Sequence, residues 1–263
     1  MKRRKWWKAL LCLLLALVLA AGGYAAYVLL AYYRVEDSQE LEIAYCGVPV
    51  DYGQLQVGGT YRVASYNIGF GAYSDDYSFF MDGGRESRAR SPEAVRENVS
   101  GAMGAALDLN PDFLLLQEVD VDGTRSHHVN ELELVRDAWK AERPNLFSTF
   151  AQNYDSPYLF WPLWEPHGAN RAGQAVLSAH CINSALRRQL PIEDGFMKLI
   201  DCDRCYSVQR IPLAFGEEKE LVLYNLHLSA YTSDGKIAEE QLRMLFDDML
   251  SEYEKGNYAI AGG

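Results

Sequence analysis

The chain has 263 residues, of which 49% are hydrophobic and 23% charged, so it can form one sizeable core and is neither disordered nor collagen-like. The first 34 residues hold six basic residues and no acidic one. The remaining 19 basic residues stand against 36 acidic ones, which gives residues 35–263 a formal charge of −17. Such a domain repels polyanions, which disfavours a nucleic-acid binder that depends on basic patches. A bound divalent metal can reverse this field locally. Nucleic acid is therefore not excluded as a substrate, although it is less favoured.

An uncharged run over residues 9–33 follows the basic start of the chain. At about 1.5 Å per residue in a helix, this run is long enough to cross a bilayer core of about 30 Å. Two tryptophans precede it and two tyrosines end it, as expected at membrane interfaces. The sequence predicts a cytoplasmic basic tail over residues 1–8 and a single transmembrane anchor over 9–33. By the positive-inside rule, everything after Arg34 is predicted to be extracytoplasmic.

Two alternatives to the anchor stay open. A cleaved signal peptide would have a shorter apolar region followed by small residues, and Leu19-Ala20-Ala21-Gly22 fits such a cleavage site. The apolar character resumes between Tyr24 and Leu30, which favours an uncleaved anchor. A buried helix of a soluble protein is the least favoured interpretation.

The five cysteines do not predict a disulfide scaffold, because Cys12 falls in the predicted anchor. Cys202 and Cys205 form a Cys-x-x-Cys pair, which is typical of redox sites or of half a zinc site. No second Cys/His pair at suitable spacing accompanies it. Packing or a local bridge is therefore the favoured interpretation, and a thiol-exchange protein is a minor alternative.

After the anchor, residues 34–60 have little periodicity and are predicted to be a stalk and lead-in. Residues 61–68 read as a buried strand, and a loop rich in Gly, Ser and Asp extends from Gly69 to about Arg90. Ser91, followed by Pro and Glu, predicts a helix start, and the helix should end near residue 109 before Asn-Pro.

The rest of the chain contains more predicted strands than helices. Ser126 is predicted to cap a second helix that ends near Glu142, and Gly216 should form a turn. The other predicted elements are strands over 113–119, 147–153, 174–178, 206–215, 220–228 and 258–261, and a helix over 234–255 that ends at Gly256. This order predicts an α/β protein of the α+β type in which two mixed sheets are packed together and flanked by helices, over residues 61–263.

Four polar residues interrupt runs that should be buried: Asn67, Glu118, Asn225 and His227. A carboxylate at the end of an apolar strand is costly unless it is paired, hydrogen-bonded or bound to a metal, so Glu118 is the best metal-ligand candidate. Asn225 and His227 are two residues apart and would face the same side of a strand. Taken singly, each of the four is more often a structural residue.

Together and in this order they resemble successive motifs of the endonuclease/exonuclease/phosphatase superfamily. The matching stretches are Ala-Ser-Tyr-Asn-Ile ending at Ile68, Leu-Gln-Glu-Val-Asp ending at Asp120, Gly-Gln-Ala-Val-Leu-Ser ending at Ser178, and Tyr-Asn-Leu-His-Leu ending at Leu228. The resemblance extends from about Tyr61 to the end of the chain. It implies a four-layer sandwich of two mixed sheets flanked by helices.

The resemblance also implies roles for these residues. Asn67 would help hold the phosphate or the catalytic base, Glu118 would bind Mg²⁺ or Mn²⁺, and His227 would stabilise the phosphoryl oxygens with support from Asn225. In that superfamily a later strand ends in Gly-Asp-x-Asn and a further one in Asp-His. This chain ends at Gly262-Gly263, so the resemblance predicts an incomplete site that lacks the last strands and is inactive by itself.

Arg88, Arg125 and Ser229 are candidate substrate contacts. For Arg88 a solvated loop arginine is the competing interpretation, and for Arg125 an ion pair that stabilises a turn. The predicted function is extracytoplasmic hydrolysis of a phosphoester, with a phospholipid or small molecule favoured over DNA and no protein partner predicted. The alternative is a membrane-tethered binding module without catalytic activity.

Overall fold

A computed structural model describes residues 2–47, 54–193, 203–214, 218–229 and 235–263. The helices within these ranges are α1 (Lys2–Ala31), α2 (Pro92–Asp108), α3 (Glu131–Glu142) and α4 (Lys236–Glu254). The strands are β1 (Gln39–Glu40), β2 (Ala44–Cys46), β3 (Val63–Asn67), β4 (Phe113–Gly123), β5 (Leu146–Asp155), β6 (Asn170–Ser178), β7 (Ser184–Gln189), β8 (Cys205–Pro212), β9 (Glu220–Leu226) and β10 (Tyr258–Gly262).

The described strands form two mixed sheets. Sheet A has the order β1-β7-β8-β9-β10, and sheet B has the order β2-β5-β6-β4-β3. Each sheet is antiparallel except at one edge, where β10 runs parallel to β9 and β3 runs parallel to β4. A helical crossover joins the strands of each parallel pair, with α2 between β3 and β4 and α4 between β9 and β10, as parallel neighbours require.

Three apolar clusters stack these elements in four layers. Between the sheets, Phe113 and Leu115 of β4 belong to one apolar cluster with Ile211 and Leu223 of sheet A. On the outer face of sheet B, α2 and α3 bury their apolar sides in a cluster that includes Trp139. On the outer face of sheet A, α4 packs through residues including Leu245 against Tyr206 and Tyr224. The predicted four-layer sandwich of two mixed sheets flanked by helices is confirmed.

Most predicted elements are found within a few residues of their expected positions, with one local correction. The second helix begins after Asn130, whose side chain accepts from the backbone of Glu133, and not after Ser126. Ser126 is buried, and its hydroxyl donates to Asp120 instead. The predicted turn at Gly216 lies outside the described residues, as does Cys202.

The segment predicted as a stalk is part of the fold. β1 pairs with β7 at one edge of sheet A, and β2 pairs with β5 at one edge of sheet B. Val35 is buried, and Leu55 forms an isolated bridge with Leu213. The stretch has little periodicity because its strands are only two and three residues long, so the stalk prediction for these residues was wrong.

α1 has the length and composition to cross a membrane. Residues Lys5–Ala31 contain a window with a mean hydropathy of 2.3, and none of that window is buried against the rest of the protein. A signal sequence at the N-terminus would meet the same criteria.

Candidate active site

Glu118 lies at a β-bulge in the central strand β4. Between Leu116 and Val119, β4 advances three residues while its partner β6 advances two, from Ala175 to Gly173. Glu118 takes up the extra residue with a φ of +55°, a left-handed conformation that is unfavourable for a residue with a side chain. Bulges beside active sites commonly redirect one side chain out of the sheet. The Glu118 side chain is 25% exposed, although it follows a run of fully buried residues.

Asn67, the last residue of β3, contacts Glu118 from the neighbouring strand. Its Nδ2 donates to Glu118 Oε1 over 3.0 Å, while its Oδ1 accepts from the backbone of Gly69 over 2.9 Å. Because both ends of the amide are engaged, its orientation is fixed. Gly69 has a φ of +56°, which lets the chain turn sharply after β3 and return its amide to Asn67.

His227 approaches the same carboxylate from the other sheet. It follows β9, and its Nε2 lies 3.5 Å from Glu118 Oε1, with 20% of its side chain exposed. The predicted set of Asn67, Glu118 and His227 is therefore brought together, although the three residues are separated by 51 and 109 positions in the sequence.

Asn225 occupies a deeper position. It is fully buried, and its Nδ2 donates to the carbonyls of Leu116 and Ala175, both in sheet B. Gln117 Nε2 donates to Asn225 Oδ1 over 2.7 Å and lies 3.2 Å from Ser65 Oγ. Asn225 and His227 both contact residues of β4, and Asn225 ties the two sheets together beneath the site.

Gln117 was missed by the sequence reasoning, although a polar side chain inside the apolar run of β4 was the available signal. It is 2% exposed and connects β3, β4 and β9 through Ser65 and Asn225. A buried amide whose partners are satisfied fixes the relative position of the strands that it joins. Gln117 therefore sets the register at which Asn67, Glu118 and His227 meet.

Arg125 belongs to a buried ion pair. Its guanidinium contacts both oxygens of Asp120, at 2.6 Å for the closest pair, and lies 4.1 Å from the centroid of the Phe70 ring. The Arg125 side chain is 8% exposed and that of Asp120 is fully buried. Of the two interpretations of Arg125, the structure supports the ion pair, and the prediction of a substrate contact is corrected because Asp120 occupies the guanidinium.

A second carboxyl group, Glu131, lies beside this pair. Burial, followed by the negative charge of Asp120, raises the pKa of Glu131 well above its usual value. Its Oε2 accepts from the backbone of Asp120 over 2.8 Å, a bond that a neutral carboxyl also makes. The cluster therefore combines two buried carboxyl groups and one arginine beneath the outer end of β4.

The remaining predicted contacts surround the site without converging on Glu118. Arg88 Nε donates to the carbonyl of Pro166 over 2.5 Å, and the residue is half-buried. Ser229 is held by Gln241, which accepts from its backbone and donates to its hydroxyl. Neither residue has a described contact with Asn67 or Glu118, so their substrate roles stay predictions.

Cys205 of the Cys-x-x-Cys pair is fully buried, and burial is the main cause that raises the pKa of its thiol. Gln174 Nε2 lies 3.1 Å from its sulfur. Because thiol exchange needs an accessible thiolate, this environment is unfavourable for redox activity.

The donor set can be tested against a divalent metal. Within the described ranges, no group of three or more His, Cys, Asp or Glu residues is arranged to hold a metal ion. Mg²⁺, however, is commonly bound by one or two carboxylates together with waters and substrate phosphate. Glu118 supplies one partly exposed carboxylate of that kind, so the residues present fit a weakly held, oxygen-liganded ion and not a preformed cage.

No family model matches the sequence, and no curated protein matches it. Solved structures do. An endonuclease/exonuclease/phosphatase protein from Beutenbergia cavernae DSM 12333 matches with a TM-score of 0.48 at 20% identity, over 71% of this chain and 43% of that one. ANGEL2, a 2′,3′-cyclic phosphatase, matches with a TM-score of 0.48 at 16% identity, over 80% of this chain and 51% of that one. Sphingomyelinase C from Streptomyces griseocarneus matches with a TM-score of 0.41 at 14% identity, over 73% of this chain and 60% of that one.

The chain is similar to endonuclease/exonuclease/phosphatase structures. It spans about half the length of the structures that it matches.

Proposed function

We propose that this chain carries part of the active site of a metal-dependent phosphoester hydrolase. The observation that carries the proposal is that Asn67 and His227, which come from different sheets, both approach Oε1 of the partly exposed Glu118 side chain. The left-handed backbone at Glu118 supports it, because strained residues cluster at functional sites. A purely structural glutamate at this place would need neither the bulge nor the opening to solvent.

In this proposal Glu118 holds Mg²⁺ or Mn²⁺, and a bound ion of this kind would polarise a phosphoryl oxygen and neutralise the charge that develops there. Asn67 keeps the carboxylate in place through its Nδ2 and presents the start of the Gly69 turn to the substrate. His227, when protonated, donates from Nε2 to a phosphoryl oxygen. Asn225 and Gln117 position these groups and do not contact the substrate.

We further propose that α1 anchors the domain in a membrane, with the basic tail in the cytoplasm and the domain outside. The support is the uncharged length of α1 and the basic residues that precede it. A membrane phosphoester or a small soluble one suits the strongly acidic domain better than nucleic acid does.

The test is a substrate panel on the complete protein, including any strands that follow Gly263, in detergent micelles. The panel contains a phosphocholine lipid, a nucleoside 2′,3′-cyclic phosphate, a chromogenic phosphodiester and duplex DNA, each with Mg²⁺ and with EDTA. We expect turnover of at least one compound, abolished by EDTA and reduced about a thousandfold by Glu118→Ala. Asp122→Asn, on the same strand but paired with Arg171 at the surface, is the matched control and should keep its activity.

Two outcomes would overturn the proposal. Activity that survives EDTA or the Glu118→Ala change would remove the metal mechanism. No turnover of any compound, with folding intact, would instead favour the binding module without catalytic activity.

A further inference from the structure

A loop between β5 and β6 exposes a concentrated group of large apolar side chains. This segment, residues 156–168, is called the aromatic loop below. Phe160 is 51% exposed, Trp161 60%, Leu163 75% and Trp164 65%. Glu165 is the one residue of the loop that carries a charge at neutral pH, and its carboxylate accepts from the backbone of Ser87 over 2.7 Å. The outer side of the loop is therefore apolar and uncharged, which is unusual for a surface in contact with water.

The backbone of the aromatic loop has internal hydrogen-bond partners. Leu159 and Gly168 exchange two hydrogen bonds of 3.0 Å, and His167 donates to the carbonyl of Trp161 over 3.1 Å. Glu165 donates to the carbonyl of Pro162 over 3.1 Å. A loop in water does not need this arrangement, whereas a loop that enters an apolar phase does, because no water is available there to bind the backbone.

Three further backbone groups of the loop are bound by α1. Tyr24 accepts from the backbone N–H of Phe160 over 3.1 Å and donates to the carbonyl of Tyr158 over 3.2 Å. Tyr27 accepts from the backbone N–H of Tyr158 over 3.0 Å. The rings of Tyr24 and Phe160 are also in edge contact, with centroids 5.2 Å apart. The two tyrosines thus replace water as partners for the loop.

The position of these tyrosines along α1 gives the depth of the loop. Counted from Lys8, the last charged residue before the apolar run, a core of about 30 Å takes about 20 residues at about 1.5 Å each and ends near Val28. Tyr24 and Tyr27 then lie just inside the outer boundary of the bilayer core. Tryptophan and tyrosine side chains favour this interfacial region.

The candidate site opens at the same end of the domain. Directly after α1, Arg34 and Val35 donate to the two carboxylate oxygens of Asp203, which precedes β8. The start of β8 pairs with the end of β9, where Tyr206 faces Leu226, and His227 follows. The helix therefore leaves the membrane beside the end of sheet A that carries His227.

We propose that the aromatic loop is a lipid-docking surface that lies in the outer interface of the bilayer crossed by α1. Phe160, Trp161, Leu163 and Trp164 enter the interface, and the loop and α1 together hold the candidate site toward the lipid headgroups. This inference rests on the membrane anchor in the proposed function, and it is independent of the hydrolytic chemistry. It makes a membrane phosphoester the substrate class that reaches the site most directly.

Tryptophan fluorescence of the full chain in phosphatidylcholine vesicles tests this proposal. The chain has five tryptophans, and changing Trp6 and Trp7 to Phe leaves Trp161, Trp164 and the fully buried Trp139. Lipids brominated near the headgroup end of their acyl chains should quench most of the emission of Trp161 and Trp164, and aqueous iodide should quench little. Adding Trp161→Phe and Trp164→Phe should leave an emission that neither agent quenches.

A reporter at the opposite end of the domain is the matched control. Tyr253 is 74% exposed near the end of α4, next to Glu252, which binds Arg210 close to the far end of β8. Tyr253→Trp is introduced into the chain in which Trp6, Trp7, Trp161 and Trp164 are all changed to Phe. Its emission should be quenched by iodide and not by brominated lipid.

Emission from Trp161 and Trp164 that iodide quenches and brominated lipid does not would overturn the proposal. Emission that neither agent quenches would also overturn it, since a second copy of the chain would then cover the loop. Flotation of the vesicles reports the anchor separately. If the protein floats with the vesicles but brominated lipid does not quench Trp161 and Trp164, the docking proposal alone is overturned. The hydrolysis assay tests the proposed function separately from both measurements.

Discussion

Two carboxylates two positions apart on β4 have opposite environments. Asp120 is fully buried and is enclosed by Arg125 and the hydroxyl of Ser126. The Glu118 side chain is 25% exposed, and its described partners are Asn67, at the end of β3, and His227, directly after β9. The β-bulge at Glu118 separates the two environments, because it turns Glu118 outward while Asp120 stays in the core.

This difference separates stability from chemistry within one strand. A buried carboxylate whose partners are all protein groups cannot be removed alone without leaving those partners unpaired, and it has no free capacity for a ligand. A partly exposed carboxylate held by an amide and an imidazole keeps its orientation and can still accept a cation. The changes below should therefore have different effects at the two sites.

The largest expected effect is on stability at Asp120. Asp120→Ala leaves the Arg125 guanidinium buried without its partner, and we expect a loss of about 3–5 kcal/mol in the free energy of unfolding. Glu118→Ala should cost less than about 1 kcal/mol, because the side chain is partly exposed. Thermal unfolding followed by circular dichroism in one detergent compares the two.

The double change Asp120→Leu with Arg125→Met is the control for this prediction. It removes both charges together and should recover most of the lost stability. Equal losses for Asp120→Ala and Glu118→Ala would mean that the two environments do not differ as described.

The next effect is on rate at His227. His227→Gln keeps a donor but removes the imidazole, which can carry a positive charge, and we expect hydrolysis to fall about a hundredfold with little change in stability. His128→Gln is the matched control, since His128 is 68% exposed and binds Asp122 at the surface. Steady-state rates on the best compound of the panel measure both, and equal rates for the two variants would remove His227 from the mechanism.

The smallest effect is on pH-dependent stability at Glu252, a second enclosed carboxylate at the end of sheet A far from the site. Burial acts to raise the pKa of Glu252, but hydrogen bonds from Arg210, Lys255 and Asn257 outweigh it and lower the pKa to about 2. The pKa of the folded state thus lies below the usual value of 4.5. The stabilisation is complete above about pH 4.5 and is lost as the pH falls toward 2.

Glu252→Gln should therefore unfold more easily than the wild type at pH 7, by about 1–2 kcal/mol, and equally easily near pH 2. Unfolding at a series of pH values measures this difference. Glu254→Gln, an exposed neighbour on α4, should follow the wild type throughout. A difference between wild type and Glu252→Gln that stays constant with pH would show that the ionised carboxylate is not its cause.

The sequence predicted the layers of the fold because its strands and helices have clear periods and end signals. Ser91 and Gly256 are found at the helix ends that they predicted. The strands β1, β2 and β7 were missed, since the first two are only two and three residues long and β7 is interrupted by Arg187 and Arg188.

For the site, the order of the motifs identified the residues that converge but not the depth of each. Nothing in the sequence distinguishes Asn225, which joins the sheets, from Asn67, which contacts Glu118. The sequence left two roles open for Arg125, because its contact with Asp120 forms only when the chain between them turns back. The contact between Tyr24 and the aromatic loop joins positions 136 residues apart and has no local signal.

We propose that Glu118, and not merely an acidic surface, is the metal ligand. Titration of the full chain with Mn²⁺, followed by the electron paramagnetic resonance signal of the free ion, tests this most directly. The wild type and Asp122→Asn should bind one Mn²⁺ with similar affinity, and Glu118→Gln should lose that binding. Unchanged binding in Glu118→Gln, or equal losses in both variants, would contradict the account.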